Sequence, residues 1–318
     1  MKGKMRKVWQ KEKSGRPVLY LSSGTVTLME RRQNIAEAVF ALPPGGSFCA
    51  QYNPDHATVE QYTLVSGRMD YEHAGSRRRM KIGETVDASQ HAKVITFYAL
   101  SDAEVVIHMD APFYEKNFSE MQLLQREMDA VAQVDGYTYQ HCDRIRQYAI
   151  EVWKKFDRPA ASLKLMRWGA YFHDLGKLAI PPDILNKPGK LTPAEWDIMK
   201  SHSQRGADML RNHPVEWLRE AAYIVEQHHE RYDGKGYPFG LKEEEISLEA
   251  AIVSVVDAFD AMTTDRVYKK AMPVDTALEE LLNEKGKQFN PAVVDAFVEV
   301  IEEKKGEIGW TMFEQCES

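Results

Sequence analysis

The chain has 318 residues, 43% hydrophobic and 28% charged, with a formal net charge of −7 at neutral pH. This is the composition of a globular protein long enough for two domains, and its negative balance argues against general affinity for nucleic acid polymers. An anionic ligand must therefore meet a local basic patch. No run of about 18 apolar residues occurs, which excludes a membrane-spanning helix, and the basic start Met1-Lys2-Gly3-Lys4 is not followed by the apolar run of a signal peptide. Cys49, Cys142 and Cys316 are odd in number and far apart, so a reducing cytoplasm is expected rather than a disulfide framework.

From Pro17 to Ala111 the chain shows short alternating runs, among them Val18-Leu19-Tyr20-Leu21, Gln61-Tyr62-Thr63-Leu64-Val65 and Val105-Val106-Ile107-His108-Met109. They are broken by turns such as Pro43-Pro44-Gly45-Gly46, and strands at that spacing predict a small antiparallel barrel or sandwich. The order of elements resembles a cupin barrel, with His56 to Glu60, Gly67 and Gly83-Glu84 standing where parts of its two motifs fall. Pro54 occupies the place of the first motif's earlier histidine, and Val94 that of the later motif's histidine. With only His56 and Glu60 left, a stable metal centre would lack ligands. His56 therefore reads as a loop or surface histidine, and His73, His91 and His108 as isolated ones. A sensory or dimerising module with an unidentified small-molecule effector is expected.

Between Phe113 and Val134 the period changes to helical, with Phe118, Met121, Leu124, Met128 and Val131 at steps of three and four. Such a stripe serves as a homodimer seam or as the face that packs on the next domain. Barely three heptads favour the second use. The expected division is residues 1–112 for the barrel, 113–132 for a connector helix and 133–318 for a helical domain.

The helical part is arranged around Tyr171-Phe172-His173-Asp174-Leu175-Gly176-Lys177, which follows an apolar stretch (Leu163, Leu165, Met166, Trp168, Ala170) that reads as a buried helix. A carboxylate and an imidazole placed there need compensation, and a divalent cation supplies it. The competing reading is a solvated helix end, with His and Lys answering the dipole. Other segments supply His141, His202, the pair His228 and His229, and Asp257, the last directly after the apolar run Ala251 to Val256. His141 and His202 also suit exposed helix positions, and His213 before Pro214 reads as a loop residue outside the set.

Seven ligands (His141, His173, Asp174, His202, His228, His229, Asp257) exceed the needs of one open metal site. Two ions sharing Asp174 would use them, and the absence of thiolate favours Fe or Mn, with Zn the alternative. Neighbouring helical residues project about 100° apart, so His228 and His229 are expected to face different ions. Two ions roughly 3.5–4 Å apart can hold a bridging hydroxide for attack on phosphorus, the chemistry of phosphoester hydrolysis.

Residues Asp135 to Phe297 resemble the HD-GYP phosphodiesterases of the HD phosphohydrolase superfamily. The likeness rests on four ordered blocks: Asp135-Gly136-Tyr137 through His141, His173-Asp174-Leu175-Gly176-Lys177, His228-His229-Glu230 through Gly236-Tyr237-Pro238, and Asp257 through Arg266. The resemblance implies hydrolysis of a cyclic dinucleotide, typically cyclic di-GMP, to pGpG and on to GMP in some members, with 3′,3′-cGAMP as the alternative substrate and a non-catalytic adaptor as the alternative role. It implies catalytic roles for Asp174 and Lys177, the latter at a phosphate oxygen. Tyr237, with Gly236 and Pro238, would touch the substrate, and Arg266 and Lys269 would meet the second phosphate. Members holding three metals carry Glu where Tyr137 stands, so two metals are expected here and not a third. The expected architecture is a small all-β cupin-like barrel followed by an all-α HD-GYP bundle.

Overall fold

The computed structural model describes residues 18–21, 24–32, 34–50, 59–91, 94–135, 139–265 and 270–305. The chain forms two compact units, Met1–Gln125 and Arg126–Ser318.

The first unit is a pair of antiparallel sheets, which with the helices that follow gives the expected β-then-α order. Its strands are β1 (Val18–Leu21), β2 (Gly24–Arg32), β3 (Ile35–Leu42), β4 (Ser47–Ala50), β5 (Glu60–Ser66), β6 (Met69–His73), β7 (Ser76–Arg79), β8 (Thr85–Asp87), β9 (Ile95–Ala99) and β10 (Ala103–Asp110). One sheet runs β1-β2-β3-β10-β5-β8 and the other β4-β9-β6-β7. Successive side chains of a strand point to opposite faces, so the alternation in β3 buries Phe40 and Leu42 against Leu64, Met69, Ile95, Phe97 and Val105. Phe48 stacks on Phe97 with ring centroids 4.6 Å apart. Farther along the same face of β3, Ala36 and Ala38 pack on Ala111 and Tyr114 of helix α1 (Ala111–Asp135). Leu124 and Val131 of the expected stripe are buried.

The second unit is helical: α2 (Tyr139–Trp153), α3 (Ala160–Tyr171), α4 (Pro182–Leu185), α5 (Pro193–Lys200), α6 (His202–Arg211), α7 (Glu216–Arg219), α8 (Ala222–Gln227), α9 (Leu248–Thr263), α10 (Val274–Asn283) and α11 (Pro291–Lys305). Helix α9 is apolar around most of its circumference and lies in the core, where Phe259 meets Phe297 at 4.8 Å and Tyr148 at 6.1 Å between centroids. Local chemistry sets the helix starts. Thr192 and Glu195 form a capping box ahead of α5, Ser247 caps α9 by accepting from Ala250 N, and Asn290 Oδ1 accepts from Ala292 N at the start of α11. Among the described residues, no helix is long and apolar enough to cross a membrane.

Candidate metal centre

Helix α3 stops at Tyr171, and the chain turns through His173 and Asp174 into a short 3-10 segment, Leu175–Ala179. The turn is forced against α6. A Cβ on Gly176 would lie 1.9 Å from the carbonyl oxygen of His202 and 2.4 Å from Gly206 N, so only glycine permits this approach. Gly176 is thus a packing requirement that brings His202 to Asp174.

Three histidines are tethered by one device: Nδ1 donates to the carbonyl three residues earlier, from His173 to Ala170 (2.8 Å), His202 to Met199 (2.8 Å) and His228 to Val225 (2.6 Å). His141 instead places Nδ1 2.6 Å from Asp260 Oδ2. Each such bond fixes the tautomer and leaves Nε2 with its lone pair available to an electrophile. His228 Nε2 is fully buried without a hydrogen-bond partner, a costly state that a cation relieves. The alternative of exposed helix positions for His141 and His202 is corrected: both are buried. Asp257 is partly buried.

The donors converge in two groups, Asp174 with His202, His228 and His229, and His141 with His173 and Asp257, the ligand atoms of each lying within 4.8 Å of one another. Asp174 faces both. Its Oδ2 is 3.2 Å from His173 Nε2, and its Oδ1 is 3.5 Å from His202 Nε2. In the first group, His202 Nε2 and His229 Nε2 stand 3.1 Å apart, the separation of adjacent ligands at about 2.1 Å from a common ion. In the second, Asp257 Oδ1 is 3.8 Å from His141 Nε2 and 3.9 Å from His173 Nε2. The expectation that His228 and His229 face different ions is overturned: both belong to one group, their rings 3.9 Å apart. Helix α8 ends at Gln227 with His228 closing it in helical backbone geometry, and the two rings nevertheless turn to one side. These nitrogen and oxygen donors, free of thiolate, fit divalent cations.

Electrostatics agree with that fit at His202, His228 and His229 and differ at His173, where burial disfavours the charged ring but Asp174 and Asp257 outweigh it and raise the imidazole to about 9. Burial, reinforced by the neighbouring histidines, holds His228 and His229 well below the usual imidazole range, and burial lowers His202 as well. Burial disfavours a charged Asp174, yet Lys177, His173 and His202 outweigh it and keep the carboxyl well below its ordinary value. Lys177 Nζ donates to Asp174 Oδ2 at 2.8 Å.

The Gly-Tyr-Pro loop lies beside the first group, with the Tyr237 ring 4.8 Å from that of His229. A Cβ on Gly236 would sit 2.4 Å from Arg231 N, so the loop folds tightly on the chain that follows the histidine pair. Pro238 continues it. Arg266, Lys269 and Tyr137 lie outside the described residues, as does His56.

Sequence reasoning missed three residues that build this centre. Asp260 orients His141 and is itself held by Arg144, whose Nη2 lies 2.9 Å from Oδ2. Burial works against its charge, but the bonds from His141 and Arg144 hold the carboxyl down at about 2. Glu230 accepts from the backbone N–H groups of Phe239 (2.7 Å), Gly240 (3.2 Å) and Leu241 (3.0 Å), tying the loop to the histidine pair. Asp260 falls one helical turn after Asp257, a spacing that places both on one face; Glu230 carries no comparable signal. His213 is buried between Glu127, 2.9 Å from Nε2, and Val215 N, and joins neither donor group.

In the β unit, His73 and His91 are not isolated as expected. Their rings lie 4.3 Å apart, both lining a cavity of about 420 Å³ with Tyr71, Arg78 and Asp87. The strand β6 and the turn after β8 bring together residues distant in sequence. His108 pairs across strands with Glu37, Nε2 to Oε2 3.0 Å.

A helical unit with paired His/Asp donor groups is the class that the fold and site define. The family model described as HD domain matches residues 125–293, more than half the chain, and the chain belongs to that family. Over 243 residues it is 40% identical to the cyclic di-GMP phosphodiesterase response regulator RpfG of Xanthomonas campestris pv. campestris, covering 76% of this chain and 64% of the relative. It is 39% identical to a cyclic di-GMP phosphodiesterase of Thermotoga maritima over 53% of this chain and 46% of the relative. It is 32% identical to the 3′3′-cGAMP-specific phosphodiesterase 2 of Vibrio cholerae over 56% of this chain and 34% of that protein. The chain thus spans less than two thirds of each of these relatives.

Proposed function

We propose that the chain is a metal-dependent phosphodiesterase that hydrolyses a cyclic dinucleotide, cyclic di-GMP first, to pGpG. The observation that carries the reading is the pair of donor groups on either side of Asp174, each of its oxygens turned toward a different histidine. His141, His173 and Asp257 would hold one divalent cation, His202, His228 and His229 the other, with Asp174 shared; Fe or Mn suits the donors, and Zn is the alternative. Cations there supply Lewis-acid activation of water and neutralise phosphate charge. Asp174 stays ionised at neutral pH, and Lys177 brings an ammonium to its side for a phosphate oxygen. Asp260 and Arg144 keep His141 in its ligating tautomer. Tyr237, on the loop with Gly236 and Pro238, lies against the sugar or base, and Arg266 and Lys269 meet the second phosphate.

A hybrid dinucleotide, 3′,3′-cGAMP, is the second reading, favoured by the Vibrio cholerae relatives named for it at 32% and 37% identity. In the same proposal, residues 1–112 form a cytoplasmic sensory module for a small molecule, residues 113–132 a connector available for homodimerisation, and residues 133–318 the catalytic domain. The test is metal analysis of anaerobically purified protein together with chromatography of products from both dinucleotides. Metal-loaded protein that yields pGpG supports the reading; substrate recovered intact with Fe, Mn and Zn in turn overturns it in favour of an adaptor.

A further inference from the structure

Large apolar side chains left in water are unremarkable when scattered singly. Trp196 is not placed at random. It is 48% exposed, and its ring stands edge-on to Tyr237 with centroids 6.4 Å apart and planes at 81°. The Tyr237 ring in turn lies 4.8 Å from that of His229 and 6.4 Å from that of His202, both in the first donor group. A continuous path of rings therefore leads from the donor cluster out to solvent and ends on Trp196. Its mount is firm: Trp196 N bonds to Thr192 O at 2.8 Å, next to a complete capping box, and Lys187 Nζ holds Glu195 Oε1 at 2.8 Å. Helix α5 runs on through Ser201 into His202, so the indole and a donor histidine share one stretch of chain.

We infer that Trp196 is a base-stacking residue, its half-exposed ring taking the purine of the nucleotide whose phosphate lies beside Lys177. This rests on the function proposed above. A nucleotide has a charged half, which the donor groups and Lys177 suit, and a flat apolar half, which they do not. A half-exposed indole, linked ring to ring with the donor histidines, is matched to the second half. Stacking reads the π-face and not the hydrogen-bonding edge, so Trp196 accepts guanine and adenine alike.

The experiment compares wild type, Trp196→Ala and Trp196→Phe on cyclic di-GMP, on 3′,3′-cGAMP and on methyl p-nitrophenyl phosphate, a diester without a nucleobase. Trp196→Ala is expected to raise KM for both dinucleotides by about tenfold, with kcat and bound metal unchanged and turnover of the base-free diester intact. Trp196→Phe is expected to recover most of the loss. An unchanged KM overturns the inference, as does an equal fall on the base-free diester, which would make the ring structural. An unchanged KM with altered sedimentation of the free protein would assign the ring to an interface between copies. Wild type that turns over the base-free diester and neither dinucleotide sinks the proposed function, a result distinct from all of these.

Discussion

In the helical unit, His173, His202 and His228 each surrender Nδ1 to a carbonyl three residues back, and their Nε2 atoms converge on Asp174 and its neighbours. In the β unit, His73 and His91 pack ring to ring in the wall of a cavity and His108 pairs with a glutamate, and no group of three or more such donors forms there among the described residues. The two regions have comparable raw material and unlike arrangements. Ligation capacity thus follows from what holds the far nitrogen of the ring, more than from how many imidazoles a segment contains.

The sharpest way to break this contrast is Asp174→Ala. The two donor groups then lose the carboxylate that faces both, and bound metal and diesterase activity are expected to fall together below detection in elemental analysis and turnover assays. Retained metal with retained activity would show that the groups act without a shared ligand. Next comes Asp260→Asn, which removes the anion from His141 Nδ1 while leaving every expected ligand in place. Metal affinity should drop roughly 10- to 100-fold, read by competition with a chromophoric chelator. Parity with wild type would mean that tethering is dispensable.

The β unit offers a smaller, pH-dependent effect. Burial, with Asp87 adding to it and a hydrogen bond from Tyr62 opposing it, raises the Glu60 carboxyl above its ordinary value, and Oε2 has no hydrogen-bond partner. A raised folded-state value means that the unfolded chain releases its proton first. Stability is therefore lost as pH climbs from the ordinary glutamate range through the folded value, and is level above it. Denaturant titrations of Glu60→Gln across that range should show this decline flattened. The smallest effect is expected from His73→Ala: bound metal unchanged and stability lowered by about 1 kcal/mol or less. A loss of metal in that variant would erase the distinction between the two units.

Much of the centre is visible in the chain before folding, because histidine and aspartate beside apolar runs have few reasons to be there. Asp257 after Ala251 to Val256 and the pair His173-Asp174 after α3 are such cases. The assignment of His228 and His229 to separate ions failed because the direction in which a side chain leaves the backbone does not fix where its ring ends: the two rings lie 3.9 Å apart, in one donor group. The tethers are illegible for another reason: every residue owns a carbonyl, so Ala170, Met199 and Val225 announce nothing. Strand β7, Ser76–Arg79, is exposed along its whole length and shows no alternation to read. The meeting of His73 with His91 depends on sheet topology, which neither residue encodes locally.

At Gly176 and Gly206 main chain rests on main chain. The gauge between Asp174 and His202 is accordingly cut by atoms common to all amino acids, and any substitution at that joint can only widen it. The edge at Trp196, by contrast, is a side chain half in water. Such a molecule can exchange its outer side chains while the spacing of the inner donors keeps its measure.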